Sequence, residues 1–247
     1  WGQSSAADRS ALIKKLAEKV TANMAKLGEL CALELGTPLK TSIAVHGGMG
    51  VGVVSSYVDV PFEMEKEEQL GNSVIVKEPI GVCAFITPWN FPLHQIVAKV
   101  MPALAAGCTM VLKPSEIAPM NALIFAEILD EAGVPAGVFN LVNGDGPGVG
   151  TQLSGHPDID MVSFTGSTRA GRLISKNAAE TLKRVHLELG GKGANIVFAD
   201  ADEKAVRRGA MHCFNNTGQS CNAPTRMLVQ REIYDQSVEA AAAAAQA

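Results

Sequence analysis

From Asp8 to Leu35, apolar residues recur every three or four positions (Leu12, Leu16, Val20, Met24, Leu27, Leu30), with Lys and Glu between them. That period matches the turn of an α-helix and predicts an amphipathic one, broken near Gly28. The stretch from Gly36 to Ser73 predicts a second, glycine-interrupted helix and an acidic segment from Glu63 to Glu68, serving packing and linkage without readable chemistry. From Val74 the texture changes to short apolar runs separated by helical patterns. Val82–Ile86, Thr109–Leu112, Val138–Val142 and Met161–Phe164 read as buried strands. His94–Ala106, Pro119–Ala132, Val149–Ser154 and Thr168–Ala179 read as helices, with turns at Gly133-Val134-Pro135 and Gly144-Asp145-Gly146-Pro147.

Strand, helix and strand in this order call for right-handed crossovers, hence a mostly parallel sheet with helices on both faces. After Ala179 the rhythm shifts to strands at Arg184–Leu189 and Ala194–Phe198, a helix at Asp202–Phe214 and a strand at Arg226–Gln230. This second set predicts the opening of a further α/β unit. No repeat of 20 to 50 residues is visible.

With 247 residues and 47% hydrophobic composition, the chain has enough apolar material for a large core. A formal charge of -4 offers no basic face for nucleic acid or an anionic membrane. No apolar run reaches the roughly 20 residues that span a bilayer, and no leader is expected. The five cysteines, Cys31, Cys83, Cys108, Cys213 and Cys221, are odd in number and lack metal-ligand spacing, which predicts a reducing, cytoplasmic setting. The chain begins at Trp1 and ends in an Ala-rich stretch, Ala240 to Ala247, and is expected to be a piece of a longer protein.

Cys221 closes the small, polar run Asn215-Asn216-Thr217-Gly218-Gln219-Ser220-Cys221, where packing asks for no thiol. An ordinary thiol is only about 3% thiolate at pH 7, so a nucleophilic role needs a neighbour. Glu188, followed by Gly190 and Gly191, is a candidate general base or a surface carboxylate beside a turn. Asn90, between Pro88 and Pro92, is a candidate oxyanion donor or an Asx-turn residue. Ser167 follows a strand and opens a helix, so it reads as a plain N-cap or as part of a phosphate site. Lys113 and Glu116 follow a strand directly and either form a solvated turn or reach a ribose; a carboxylate there would favour NAD over NADP. Cys83 and Cys108 read as apolar strand residues, Cys31 and Cys213 as helix residues, and Lys99, Arg172 and Lys176 as solvated helix faces. His46, His94, His156, His186 and His212 show no ligand spacing and are assigned no site, and no metal is expected.

The ordered set Pro88-Trp89-Asn90-Phe91-Pro92, Lys113-Pro114-Ser115-Glu116, Phe164-Thr165-Gly166-Ser167, Glu188-Leu189-Gly190-Gly191-Lys192 and Gly218-Gln219-Ser220-Cys221 resembles the NAD(P)-dependent aldehyde dehydrogenase superfamily from Trp1 to the chain's end. The resemblance implies a Rossmann-like domain over residues 1–189 and the start of a catalytic domain over 190–247. It implies Cys221 as nucleophile, Glu188 as base and Asn90 as oxyanion donor. It further implies NAD, with NADP possible, lined by Ile86, Thr87, Pro88 and Trp89, with Lys113 and Glu116 at the adenosine ribose and Gly146 near the adenine. Gly166 and Ser167 would meet the pyrophosphate, with Phe164 and Thr165 also cofactor-binding, and Leu189 would lie near the cofactor. An aldehyde would be oxidised to a carboxylate through a thiohemiacetal and a thioester, in a homodimer or homotetramer. The family's later Glu-Ile-Phe-Gly-Pro motif has no counterpart here. Two other readings stand beside this one: a cofactor-free thiol esterase or hydrolase, and an inert nucleotide-binding fragment whose uncovered strand edges and core faces make it unstable or adhesive.

Overall fold

The computed structural model describes residues 1–246; Ala247, the end of the Ala-rich run, lies outside the described residues. The chain divides into two units, Trp1–Glu188 and Leu189–Ala247.

The first unit opens with α1 (Ala6–Ala22), started by a capping box between Ser5 and Asp8, and α2 (Met24–Leu35). The break falls at Asn23, not at the expected Gly28, because Asn23 turns both its backbone N–H and its side-chain amide onto the Lys19 carbonyl. Gly28 stays helical for a different reason: a Cβ there would lie 2.5 Å from the Ile43 Cα, so the glycine permits close approach of the following segment. That segment comprises α3 (Leu39–Thr41), a π-helical turn at Ser42–Gly47, α4 (Gly48–Ser56) and α5 (Val60–Met64). An antiparallel hairpin follows, β1 (Glu68–Leu70) and β2 (Ser73–Ile75), turning at Gly71 with φ 59°. Its strands are three residues long and exposed throughout, so they carry no inside-outside alternation for sequence reading to detect.

The sheet elements follow: β3 (Val82–Ile86), α6 (Pro92–Ala106), β4 (Thr109–Lys113), α7 (Met120–Ala132), β5 (Phe139–Leu141), a π-helical turn at Gly146–Gly150, α8 (Thr151–Gly155), β6 (Met161–Gly166), α9 (Thr168–Ala179) and β7 (Arg184–Leu189). The strands lie in the order β5-β4-β3-β6-β7. The pairs β3–β4, β3–β6 and β4–β5 are parallel, as the alternation of elements predicts. Chain order reverses between β3 and β6, the crevice where doubly wound sheets bind ligands. Ile86 stands opposite both Lys113 and Phe164, so β3 and β4 finish at one level and β6 runs two residues past it.

Pro92 opens α6, where its missing N–H costs nothing, and Gly107 ends it with φ 82°. The inner face of α6, with Leu93, Ile96, Val97, Val100 and Leu104, packs with Cys83 and Phe85 of β3 and Met110 and Leu112 of β4 in one core. The start of β3 depends on Gly81, at φ 117°, beside Asp160, whose carboxylate accepts the Val82 N–H at 2.8 Å.

In the second unit, β8 (Ala194–Val197) pairs in parallel with β9 (Arg226–Val229), joined through α10 (Ala205–Phe214), and α11 (Tyr234–Gln246) packs against α10. Ile196, Phe198 and Leu228 remain exposed. Among the described residues, no helix is long and apolar enough to cross a membrane.

Candidate active site

The carboxyl ends of the sheet strands gather most of the residues singled out in the sequence. Ile86 ends β3, and the loop Thr87-Pro88-Trp89-Asn90-Phe91 follows it into α6. Phe91 stacks near the His46 ring, with centroids 5.1 Å apart, and so anchors the loop that carries Asn90. Lys113 ends β4 almost wholly buried; its ammonium donates to the carbonyls of Gly144 (2.7 Å) and Pro114 (2.8 Å) and pairs with Glu116 at 3.3 Å. The cation therefore ties the end of β4 to the loop beyond β5, in which Gly146 lies exposed. The Glu116 carboxylate is 56% exposed, leaving acceptor capacity facing outward.

Phe164, Thr165 and Gly166 finish β6, and Ser167 caps α9 by accepting the Ala170 N–H at 3.2 Å. The remaining N–H groups of that first turn point out of the helix end, beside the reversal between β3 and β6. Two buried hydroxyls at the same level, Thr87 Oγ1 and Thr165 Oγ1, have no hydrogen-bond partner among the described residues. Unpartnered buried hydroxyls are costly unless something else satisfies them. Together with the helix end and the Lys113–Glu116 pair, they fit a polar, phosphate-bearing dinucleotide. A separate cavity of about 550 Å³, lined by Ile80, Asp160, Leu182, Lys183 and Arg184, lies at the opposite, amino end of the strands.

Glu188 stands near the end of β7, on the same face as His186 two residues earlier. His186 Nε2 lies 3.6 Å from Glu188 Oε1, and its Nδ1 lies 3.2 Å from the hydroxyl of Ser163 on β6. The Ser163 hydroxyl accepts a hydrogen bond from Lys99 at 2.9 Å. Lys99 corrects the sequence reading. It is buried between α6 and the sheet, not on a solvated face, and burial lowers its pKa to about 8 despite the opposing pull of Glu188. The row Lys99, Ser163, His186 was missed because each residue is unremarkable alone; the two-residue spacing of His186 and Glu188 on a strand was the available signal.

In the second unit, Asn216 (φ 51°), Thr217 (φ 55°) and Gly218 (φ 74°) form three successive left-handed residues. For a β-branched threonine this conformation is strained by roughly 1–3 kcal/mol. Gln219 and Ser220 follow, and a turn closed by the Ala223 N–H on the Ser220 carbonyl (3.2 Å) carries Cys221 at its second position. Cys31, Cys83 and Cys108 are buried and Cys213 half-buried; Cys221 is exposed. Burial pushes the Cys31 thiol up to about 11, whereas Cys221 is open to a reactant. Leu189 also belongs to this second unit, and Asn90 and Glu188 to the first. Among the described residues, no cluster of His, Cys, Asp and Glu could hold a metal ion.

The fold and this strand-end constellation define a doubly wound α/β protein with its polar site at the sheet's switch point. The aldehyde dehydrogenase family model matches residues 1–247, and the chain belongs to that family. It is 53% identical over 231 residues to a 3-succinoylsemialdehyde-pyridine dehydrogenase from a Pseudomonas species, covering 93% of this chain and 48% of that protein. Among solved structures, an aldehyde dehydrogenase from Bartonella henselae superposes with TM-score 0.97 at 51% identity, over all of this chain and 52% of that one. A mutant of aldehyde dehydrogenase C from Pseudomonas syringae, in complex with NAD+ and octanal, gives TM-score 0.97 at 46% identity, over all of this chain and 51% of that one. The chain thus spans about half the length of the relatives it matches.

Proposed function

We propose that the protein carrying this chain oxidises an aldehyde to a carboxylate with NAD+, through covalent attachment to Cys221. The observation that carries this reading is the family match over residues 1–247, joined to an exposed Cys221 where the other four cysteines are buried or half-buried. Relatives bound to NAD+ and, in one case, octanal support the cofactor and substrate class.

In this mechanism the Cys221 thiolate attacks the carbonyl carbon, and the carbonyl electrons move onto oxygen. The Asn90 amide and the Cys221 backbone N–H hold that oxyanion. NAD+, when bound, would supply the hydride acceptor for oxidation at that carbon, which stays attached to Cys221 as a thioester. Thr87, Thr165 and Ser167 would bind the cofactor's polar middle, and Lys113 and Glu116 its adenosine ribose. Ile86, Pro88, Trp89, Gly146, Phe164, Gly166 and Leu189 would line the cleft. Glu188 takes a proton from water, whose oxygen attacks the thioester carbon and releases the carboxylate and the thiolate. Residues 190–247 would open the catalytic domain of a cytoplasmic homo-oligomer.

The test is Cys221→Ala in the whole protein. Aldehyde-dependent NADH formation is expected to vanish while NAD+ still binds by calorimetry; substantial turnover in the variant would remove Cys221 from the nucleophile's place.

A further inference from the structure

Lys99, Ser163, His186 and Glu188 form a directed row within the first unit. The Lys99 ammonium can only donate, so the Ser163 oxygen that it reaches at 2.9 Å must accept. The serine is buried, and among the described residues its hydroxyl has no partner besides Lys99 and His186. Its proton is therefore left for His186 Nδ1 at 3.2 Å, which acts as acceptor and places the ring proton on Nε2. Nε2 faces Glu188 Oε1 at 3.6 Å, beyond hydrogen-bond length but within ion-pair range.

We propose that the Lys99–Ser163 pair fixes His186 in its Nε2–H tautomer, making His186 a positioning residue for the Glu188 carboxylate. The inference rests on Glu188 being the general base. With the ring proton on Nε2, the imidazole turns a donor edge toward the Glu188 carboxylate. Among the described residues, Glu188 on β7 is the ionisable group within ion-pair range of the ring, and Lys99 on α6 meets the ring through the Ser163 hydroxyl of β6.

The experiment is side-chain ¹⁵N NMR of the histidine-labelled chain, with His186 assigned by its loss in His186→Gln. A single Nε2–H tautomer is expected, giving way to a tautomer mixture in Ser163→Ala and in Lys99→Met and surviving in Ser163→Thr. An Nδ1–H tautomer, or a tautomer unmoved by Ser163→Ala and Lys99→Met in variants with dispersed amide spectra, overturns the proposal. In the whole protein, His186→Ala should slow thioester hydrolysis about tenfold, a fraction of the roughly 10²–10⁴ that a general base contributes. It should also shift the pH profile of that step and leave KM unchanged, and His186→Gln, which keeps a donor near the Nε2 position, should restore most of the rate. Unaltered hydrolysis and pH profile in His186→Ala count against positioning. If Glu188→Gln leaves hydrolysis intact while the tautomer responds as expected, the base assignment fails and the hydrogen-bonded row stands.

Discussion

Lys99 on α6 donates to Ser163 on β6 at 2.9 Å, and both side chains are buried. Burial holds the amine at about 8 against an ordinary 10.5. Between those values the unfolded chain keeps the proton and the folded chain releases it, so folding stability rises with pH across that window. The rise attributable to Lys99 is of order 3 kcal/mol. Lys99→Met should remove this increment, visible as a flatter pH dependence of the urea midpoint from about 8 to 10.5 relative to the parent. Equal slopes in both proteins would show that the amine titrates as it does in the unfolded chain.

Glu188→Gln in the whole protein should preserve a single burst of NADH while steady-state turnover falls by roughly 10²–10⁴, because acylation does not need this base and hydrolysis does. Stopped-flow absorbance separates the phases. Loss of burst and steady state in equal measure would assign Glu188 to binding or folding instead.

Two glycines in neighbouring helices should respond oppositely to alanine. Gly28→Ala forces a methyl to within 2.5 Å of the Ile43 backbone and should destabilise the first unit by about 1–3 kcal/mol. Gly52→Ala on α4 meets nothing within 4 Å and should stabilise by about 0.5–1 kcal/mol through helix propensity. Denaturant midpoints compare the two, and a stabilising Gly28→Ala would contradict the close approach.

Ser167→Ala removes the side-chain cap of α9 and should cost about 1 kcal/mol of stability. Ser167→Asp keeps an acceptor for the Ala170 N–H and should restore the melt, yet its negative charge should weaken binding of a phosphate-bearing cofactor measured by titration. Unimpaired binding by Ser167→Asp would argue that the phosphates lie elsewhere.

The parallel sheet was legible because its strands are buried runs such as Val82–Ile86, bounded by glycine and proline, with helical periods between them. The hairpin of β1 and β2 was not, since an exposed three-residue strand leaves no burial pattern. Asn23 was passed over as a helix stop because its effect comes from a side-chain hydrogen bond, while Gly28 drew attention for a residue type whose use here is tertiary. Along the site, motifs identified Glu188 and Cys221 as candidates. The buried state of Lys99 was hidden because a lysine between apolar helix positions looks the same whether it faces water or a serine on the sheet. Ser163 and His186 acquire meaning only when β6 and β7 lie side by side.

At the mouth of β3, a Cβ on residue 81 would fall 2.0 Å from the Asp160 carboxylate oxygen. Position 81 is therefore closed to side chains twice over, by the Asp160 carboxylate and by its own backbone conformation. Since φ 117° also disfavours any side chain at that position, a library that randomises residue 81 should return glycine.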